Sequence, residues 1–243
     1  MIPQLEVCTF NISDLKKTIK YNVSRIELCI NKDVGGLTPP KKDIEFAVGT
    51  NMPIHPIIRP RGGDFLYNNQ EMKSMINSIS FCREMGCKGI VIGVLDRKND
   101  IDIQKCNELI KYAYGMSLTF HMAFDQVDNP FESMEKIIDL GFDRILTAGK
   151  KNSAIEGFDQ INELCHALQQ KHSTHIFLPD HPDRPTYIKG VKTGNGHVPL
   201  IIAQTKTELL SARERLSKTE YYSYWDKEYL QEIFNYGDLD RVG

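Results

Sequence analysis

Short apolar runs alternate along this chain with segments whose apolar residues recur every three or four positions. QLEVCTF (4–10) has strand character, and SDLKKTIKY (13–21) sets Leu15 and Ile19 on one helical face behind Ser13, the predicted N-cap. SRIELCI (24–30) and KKDIEFAVG (41–49) repeat the unit, the second closing at Gly49. IHPIIRP (54–60) precedes a long amphipathic stretch, 69–86, with Met72, Met75, Ile79, Cys82 and Met85 on one stripe. GIVIGVL (89–95) is continuously apolar, as a strand buried on both faces requires, and Asp102 is placed to cap the helical segment after it. SLTFHMAF (117–124), DRILTAG (143–149), THIFLP (174–179) and HVPLIIAQ (197–204) complete the strand candidates. Helical segments at 130–141, opened by Pro130 and closed by Gly141, and at 157–172 lie between them.

Eight strands with at least six intervening helices in 243 residues match the size of a single (β/α)8 TIM barrel. A doubly wound open sheet has the same alternation, but no glycine-rich dinucleotide or Walker fingerprint follows the first strand. The pattern therefore predicts an α/β chain forming one TIM-barrel domain over 1–243, with 217–243 as an aromatic-rich tail packing on the barrel or at an oligomer contact. Pro56 cannot donate a ladder hydrogen bond, so the third strand is expected to begin at or after it. The stretch 180–196 is too short and too rich in Pro and Gly for a full crossover helix, which predicts an irregular barrel around strands seven and eight.

Composition narrows the partners. Thirty Lys and Arg against 32 Asp and Glu give a net charge of -2, which offers nothing for nucleic acid or an anionic membrane. No run reaches the roughly 18 apolar residues of a membrane span, and the first residues lack a signal-peptide pattern, so a cytoplasmic location is expected. The six cysteines contain no C-x-x-C pair and read as free thiols in a reducing compartment.

Ligands of a parallel barrel gather at the C-terminal strand ends. Here those ends carry Glu6 and Cys8, Glu27 and Cys29, Arg59 and Arg61, His121 and Asp125, and Thr147. The phrase Glu-X-Cys occurs twice, 21 residues apart. Alternation puts its acid and thiol on one face, and parallel strands lie about 4.8 Å apart, so thiols at matched heights would reach one ion together. Packed small hydrophobes are the other reading of Cys8 and Cys29. As ligands, two thiolates favour Cu(I) over tetrahedral zinc. In IIRPRGGDF, Arg59 and Arg61 stand beside Gly62, Gly63 and Asp64, which suits a carboxylate or phosphate guest or, alternatively, neutralisation of Glu6, Glu27 or Asp64. Glu27 and His121 supply the pair that acid-base catalysis needs, unless His121 is structural. His166, His172, His175, His181 and His197 lack ligand spacing and read as surface residues.

The phrases EVC, RIELC, GGLTP, IIRPRGGDF, GIVIGVLD, TFHMAFD and DRILTAG resemble, in order, the motifs of the CutC family of copper homeostasis proteins. The resemblance runs from about Leu5 to Gly157. It implies a single-domain TIM barrel, a cytoplasmic homo-oligomer, and Cu(I) bound at Cys8 and Cys29. It also leaves a set of Glu27, Arg59, Arg61, Asp64 and His121 that a copper carrier does not need, so an enzyme acting on a small anion stands as the alternative. The chain departs from the family after strand seven, where FLPDHPDRP replaces a glycine-rich loop and puts an anion site there in doubt.

Overall fold

The computed structural model describes residues 4–21 and 23–171, together with five short strands between 175 and 202. Its side chains are described over 6–21 and 23–168. The expectations for 217–243 and for the 178–185 loop lie outside these residues.

β1 (Gln4–Thr9), β2 (Arg25–Leu28) and β3 (Ile54–Pro56) alternate with α1 (Ile12–Thr18) and α2 (Lys41–Val48). α3 (Asn69–Met85), β4 (Gly89–Ile92), α4 (Ile103–Tyr112), β5 (Ser117–Phe120), α5 (Pro130–Asp139), β6 (Arg144–Leu146), α6 (Phe158–Lys171) and β7 (His175–Phe177) follow. Between β7 and β11 the described residues form short strands. β8 (Thr186–Tyr187) lies antiparallel to β11 (Leu200–Ile202), and β9 (Lys192–Thr193) pairs antiparallel with β10 (Gly196–His197). β11 returns parallel to β1.

Two parallel sets result, β3-β2-β1-β11 and β4-β5-β6-β7. Among the described residues one isolated parallel bridge, Ile57 to Val91, joins them. Pro56 accounts for so slight a junction. Ile57 N donates to Leu28 O on β2 and Ile58 N to Val91 O on β4, so successive donors alternate sides and the one Pro56 lacks would have faced β4. β3 thus begins before Pro56, at Ile54, contrary to the sequence expectation. Its ladder to β2 needs no donor from the proline.

The helices bury the predicted stripes. Leu15, Met72, Met75, Ile79 and Cys82 are enclosed between helices and sheet. Asn11, and not Ser13, caps α1: its side-chain oxygen accepts from Asp14 N at 2.8 Å, which starts the helix at Ile12. Asp102 caps α4 as expected, through Lys105 N. Among the described residues no helix is long and apolar enough to cross a membrane.

Candidate functional site

Inward-facing positions of neighbouring strands form rows across the sheet, and among the described residues these rows hold the buried polar groups Glu6, Arg25, Glu27, His55 and Thr119. Cys8 is the register partner of Glu27, and Glu27 of His55. Two residues beyond Glu27, just past the end of β2, Cys29 packs with Ile57 and Val91 in a buried cluster of its own, with Cys8 and Phe10 against it. Val91 is partnered by Thr119, and Thr119 by Arg144.

The two thiols are therefore offset by a full pleat, not at matched heights, because Cys8 pairs with Glu27 and Cys29 lies beyond it. An offset of two residues preserves the face, so the sulfurs still meet, at 3.6 Å. Cys29 Sγ also donates to Glu27 Oε1 at 3.6 Å. The ligand atoms of Cys8, Glu27 and Cys29 all lie within 4.8 Å of one another, a soft pair with one hard oxygen. Burial first, then the Glu27 charge, raise the Cys29 thiol to about 11 against the lowering effect of Cys8, so it stays protonated at neutral pH. Gly36 closes over the pair at φ +89°, where a Cβ would stand 3.3 Å from Cys29 Sγ.

Below the thiols the inner face of the sheet is polar. Arg25 Nε forms an ion pair with its cross-strand partner Glu6, both buried. Arg144 donates to Ser117 Oγ, and burial and then Arg25 lower its pKa to about 10. His55 sits on Gly89, where a Cβ would come within 2.4 Å of its ring. Burial, then Arg144 and Arg25, push His55 down to about 2 and keep it neutral.

On the β3–β5 side, Arg59 is buried and its terminal nitrogens hold loop carbonyls: Nη1 donates to Val34 O at 2.6 Å and Gly36 O at 3.2 Å, and Nη2 to Gly63 O at 3.0 Å. Its guanidinium carbon lies 4.8 Å from the Phe65 ring centre, whose other neighbour is His121 at 4.9 Å. His121, just past β5, rests on Gly93, whose Cβ would fall 2.5 Å from the imidazole. Its Nδ1 accepts from Ala123 N at 3.2 Å, so the proton of the neutral ring is on Nε2. Burial and then Arg59 lower His121 to about 3. Arg59 Nε, His121 Nε2 and Thr119 Oγ1 are buried without a hydrogen-bond partner.

The structure separates other residues that the sequence had grouped. Arg61 turns outward to Asp64 (2.8 Å) and to Glu71 (2.6 Å), the latter a capping residue of α3, and Asp64 is exposed. Arg61 first, then Leu66 N, hold the Asp64 carboxyl below its usual range. Asp125 is tied to the loop after β6 by Thr147 Oγ1, by Ala148 N at 2.7 Å and by Lys150 N at 3.0 Å. Asp125 and Thr147 thus bind each other. Glu27 and His121 share no hydrogen bond. His166 is exposed as expected, and the other four histidines of that group fall outside the described side chains.

Arg25, His55, Thr119 and Arg144 were not foreseen as lumen residues. Period-two counting finds the first three: Arg25 shares parity with Glu27, His55 with Arg59, and Thr119 with His121.

The CutC family profile matches residues 3–177. A family protein CutC of Pasteurella multocida is 43% identical over 162 residues, covering 66% of this chain and 66% of the relative, just under two thirds of its length. A solved CutC structure from Streptococcus agalactiae superposes with TM-score 0.67 at 33% identity, covering 72% of this chain and 87% of that one. Dihydrodipicolinate synthase of Thermotoga maritima, at 10% identity and TM-score 0.55 over 96% of this chain and 81% of its own, shares the TIM-barrel-like fold alone.

Proposed function

The chain belongs to the CutC family of copper homeostasis proteins, and from that premise we propose that it binds Cu(I) through the thiolates of Cys8 and Cys29. The observation that carries this is the 3.6 Å separation of the two sulfurs inside the lumen, beside a carboxylate. Paired thiolates are the soft donors that select Cu(I), and a linear two-sulfur set suits it. Glu27 has a part as well. Cys29 already directs its proton at Glu27 Oε1, so the carboxylate stands where that proton must go when a metal displaces it. A cytoplasmic, reducing location fits the same reading, because both cysteines are free thiols. The eight parallel strands are taken to close into a (β/α)8 barrel, with β8 at the seam beside β11.

Anaerobic Cu(I) titration against a competing chelator tests the assignment. The parent is expected to hold one Cu(I), and the double variant C8S/C29S none. Equal affinity in the two proteins overturns it.

A second reading is favoured by the unpartnered Nε2–H of His121: a barrel enzyme acting on a small anion, with Glu27 and His121 as its proton-handling groups. Turnover of carboxylated or phosphorylated metabolites that is lost in Glu27→Gln tests it.

A further inference from the structure

We propose that the β3–β5 side of the lumen mouth is a binding site for a small monocarboxylate, held by Arg59 Nε, Thr119 Oγ1 and His121 Nε2. The site lies apart from the thiol pair. It deepens the small-anion reading and is independent of copper.

All three groups are buried, at 6%, 2% and 2% exposure, and none has a hydrogen-bond partner. All three can donate. Ala123 N occupies the acceptor nitrogen of His121, so Nε2 carries the hydrogen. Thr119 stands on β5 two residues before His121, whose extended backbone continues the pairing with β4 through His121 N to Ile92 O, so the two share a face. Val34 O, Gly36 O and Gly63 O take three of the five N–H groups of Arg59, the Tyr67 hydroxyl lies beside the same guanidinium, and Nε–H is buried without an acceptor. Buried donors without an acceptor are rare in folded proteins, and a cluster of them calls for an acceptor supplied from outside.

The kind of acceptor follows from charge and shape. Arg59 brings one positive charge, no carboxylate pairs with it among the described residues, and the imidazole is neutral. One negative charge balances this set, and two oxygens of a carboxylate can take donors from both sides. A phosphate dianion would bury a second charge without a partner. Phe65 stands 4.8 Å from the Arg59 guanidinium and 4.9 Å from the His121 ring, and offers an apolar wall to a short substituent. Ile57 and Val91 line the lumen between this side and the thiols. Arg61 and Asp64 take no part, being paired outside.

The test uses the full, metal-free chain, with propionate and pyruvate as probes and inorganic phosphate as the comparison. Binding is read by calorimetry, and the His121 Nε2–H resonance by NMR. Two variants report independently, each checked for an unchanged melting temperature. His121→Asn keeps an acceptor for Ala123 N and removes the Nε2 donor, and Thr119→Val is isosteric without the hydroxyl. The expected result is saturable carboxylate binding that shifts the His121 resonance, weakens about tenfold or more in each variant, and persists in C8S/C29S. Binding without turnover supports the site and sinks only the enzyme reading. No binding at millimolar concentrations, equal binding in both variants, tighter binding of phosphate, or a crystal structure with only water at the three donors overturns the proposal.

Discussion

Cys8 and Cys29 bring their sulfurs to 3.6 Å across a parallel strand pair although Cys8 is the register partner of Glu27. The offset sets a carboxylate level with the first thiol and one pleat below the second. This geometry gives each group of the trio a different expected effect. Either Cys→Ser change removes a soft ligand and is expected to abolish Cu(I) retention against a chelator. Glu27→Gln keeps both sulfurs and is expected to weaken binding by about 10- to 100-fold, as loss of a supporting group does. A Glu27→Gln protein as tight as the parent would remove Glu27 from the account.

Gly36 sits over the thiols at φ +89°, with the Cys29 Sγ and Cβ 3.3 and 3.4 Å from where its own Cβ would be. Gly36→Ala combines backbone strain with pressure on Cys29, and is expected to cost about 1–3 kcal/mol. Gly115→Ala separates the two effects, since Gly115 has φ +79° but nothing within 4 Å. Urea denaturation should find Gly36→Ala the more destabilised, and only that variant should also lose Cu(I) affinity. Equal losses of stability would mean that contact with Cys29 contributes nothing.

The Glu6–Arg25 pair neutralises the lower lumen, with Arg144 close by. Glu6→Gln removes the buried carboxylate that Arg25 pairs with, beside the charge of Arg144, and the expected loss is about 3–5 kcal/mol. The double change E6L/R25M should recover part of it, because two apolar side chains leave no unpaired charge. Chemical denaturation decides: a single variant within 1 kcal/mol of the parent, on the scale of an exposed pair, would show the pair to be well solvated.

His55 and His121 are held neutral, at about 2 and about 3, by burial and by the Arg25, Arg144 and Arg59 charges that face them. The unfolded chain protonates them near pH 6.5, so below that pH the unfolded state binds more protons and stability falls as pH falls toward 3. Each histidine is expected to remove about 2 kcal/mol between pH 7 and pH 5. Urea titrations at the two pH values should show the fall in the parent and a smaller one in His121→Asn. A parent equally stable at both values would mean that the rings are charged or solvated in the folded chain.

The alternation of apolar runs determined the succession of strands and helices along the chain and the buried helix stripes, because periodicity of 2 or 3.6 residues is a local property of the chain. It also placed Cys8, Glu27, Cys29, Arg59 and His121 at or just past strand ends. Parity, fully applied, would have added Arg25, His55 and Thr119. What no local pattern carries is register and partner choice. The thiols share a lumen through a pleat of offset that only β1–β2 pairing sets. Arg59 and Arg61, two residues apart and equivalent by composition, parted because loop carbonyls drew one inward while Asp64 and Glu71 drew the other out. Those outcomes depend on which backbone and side-chain groups arrive from distant segments, and so they were decided by the tertiary structure alone.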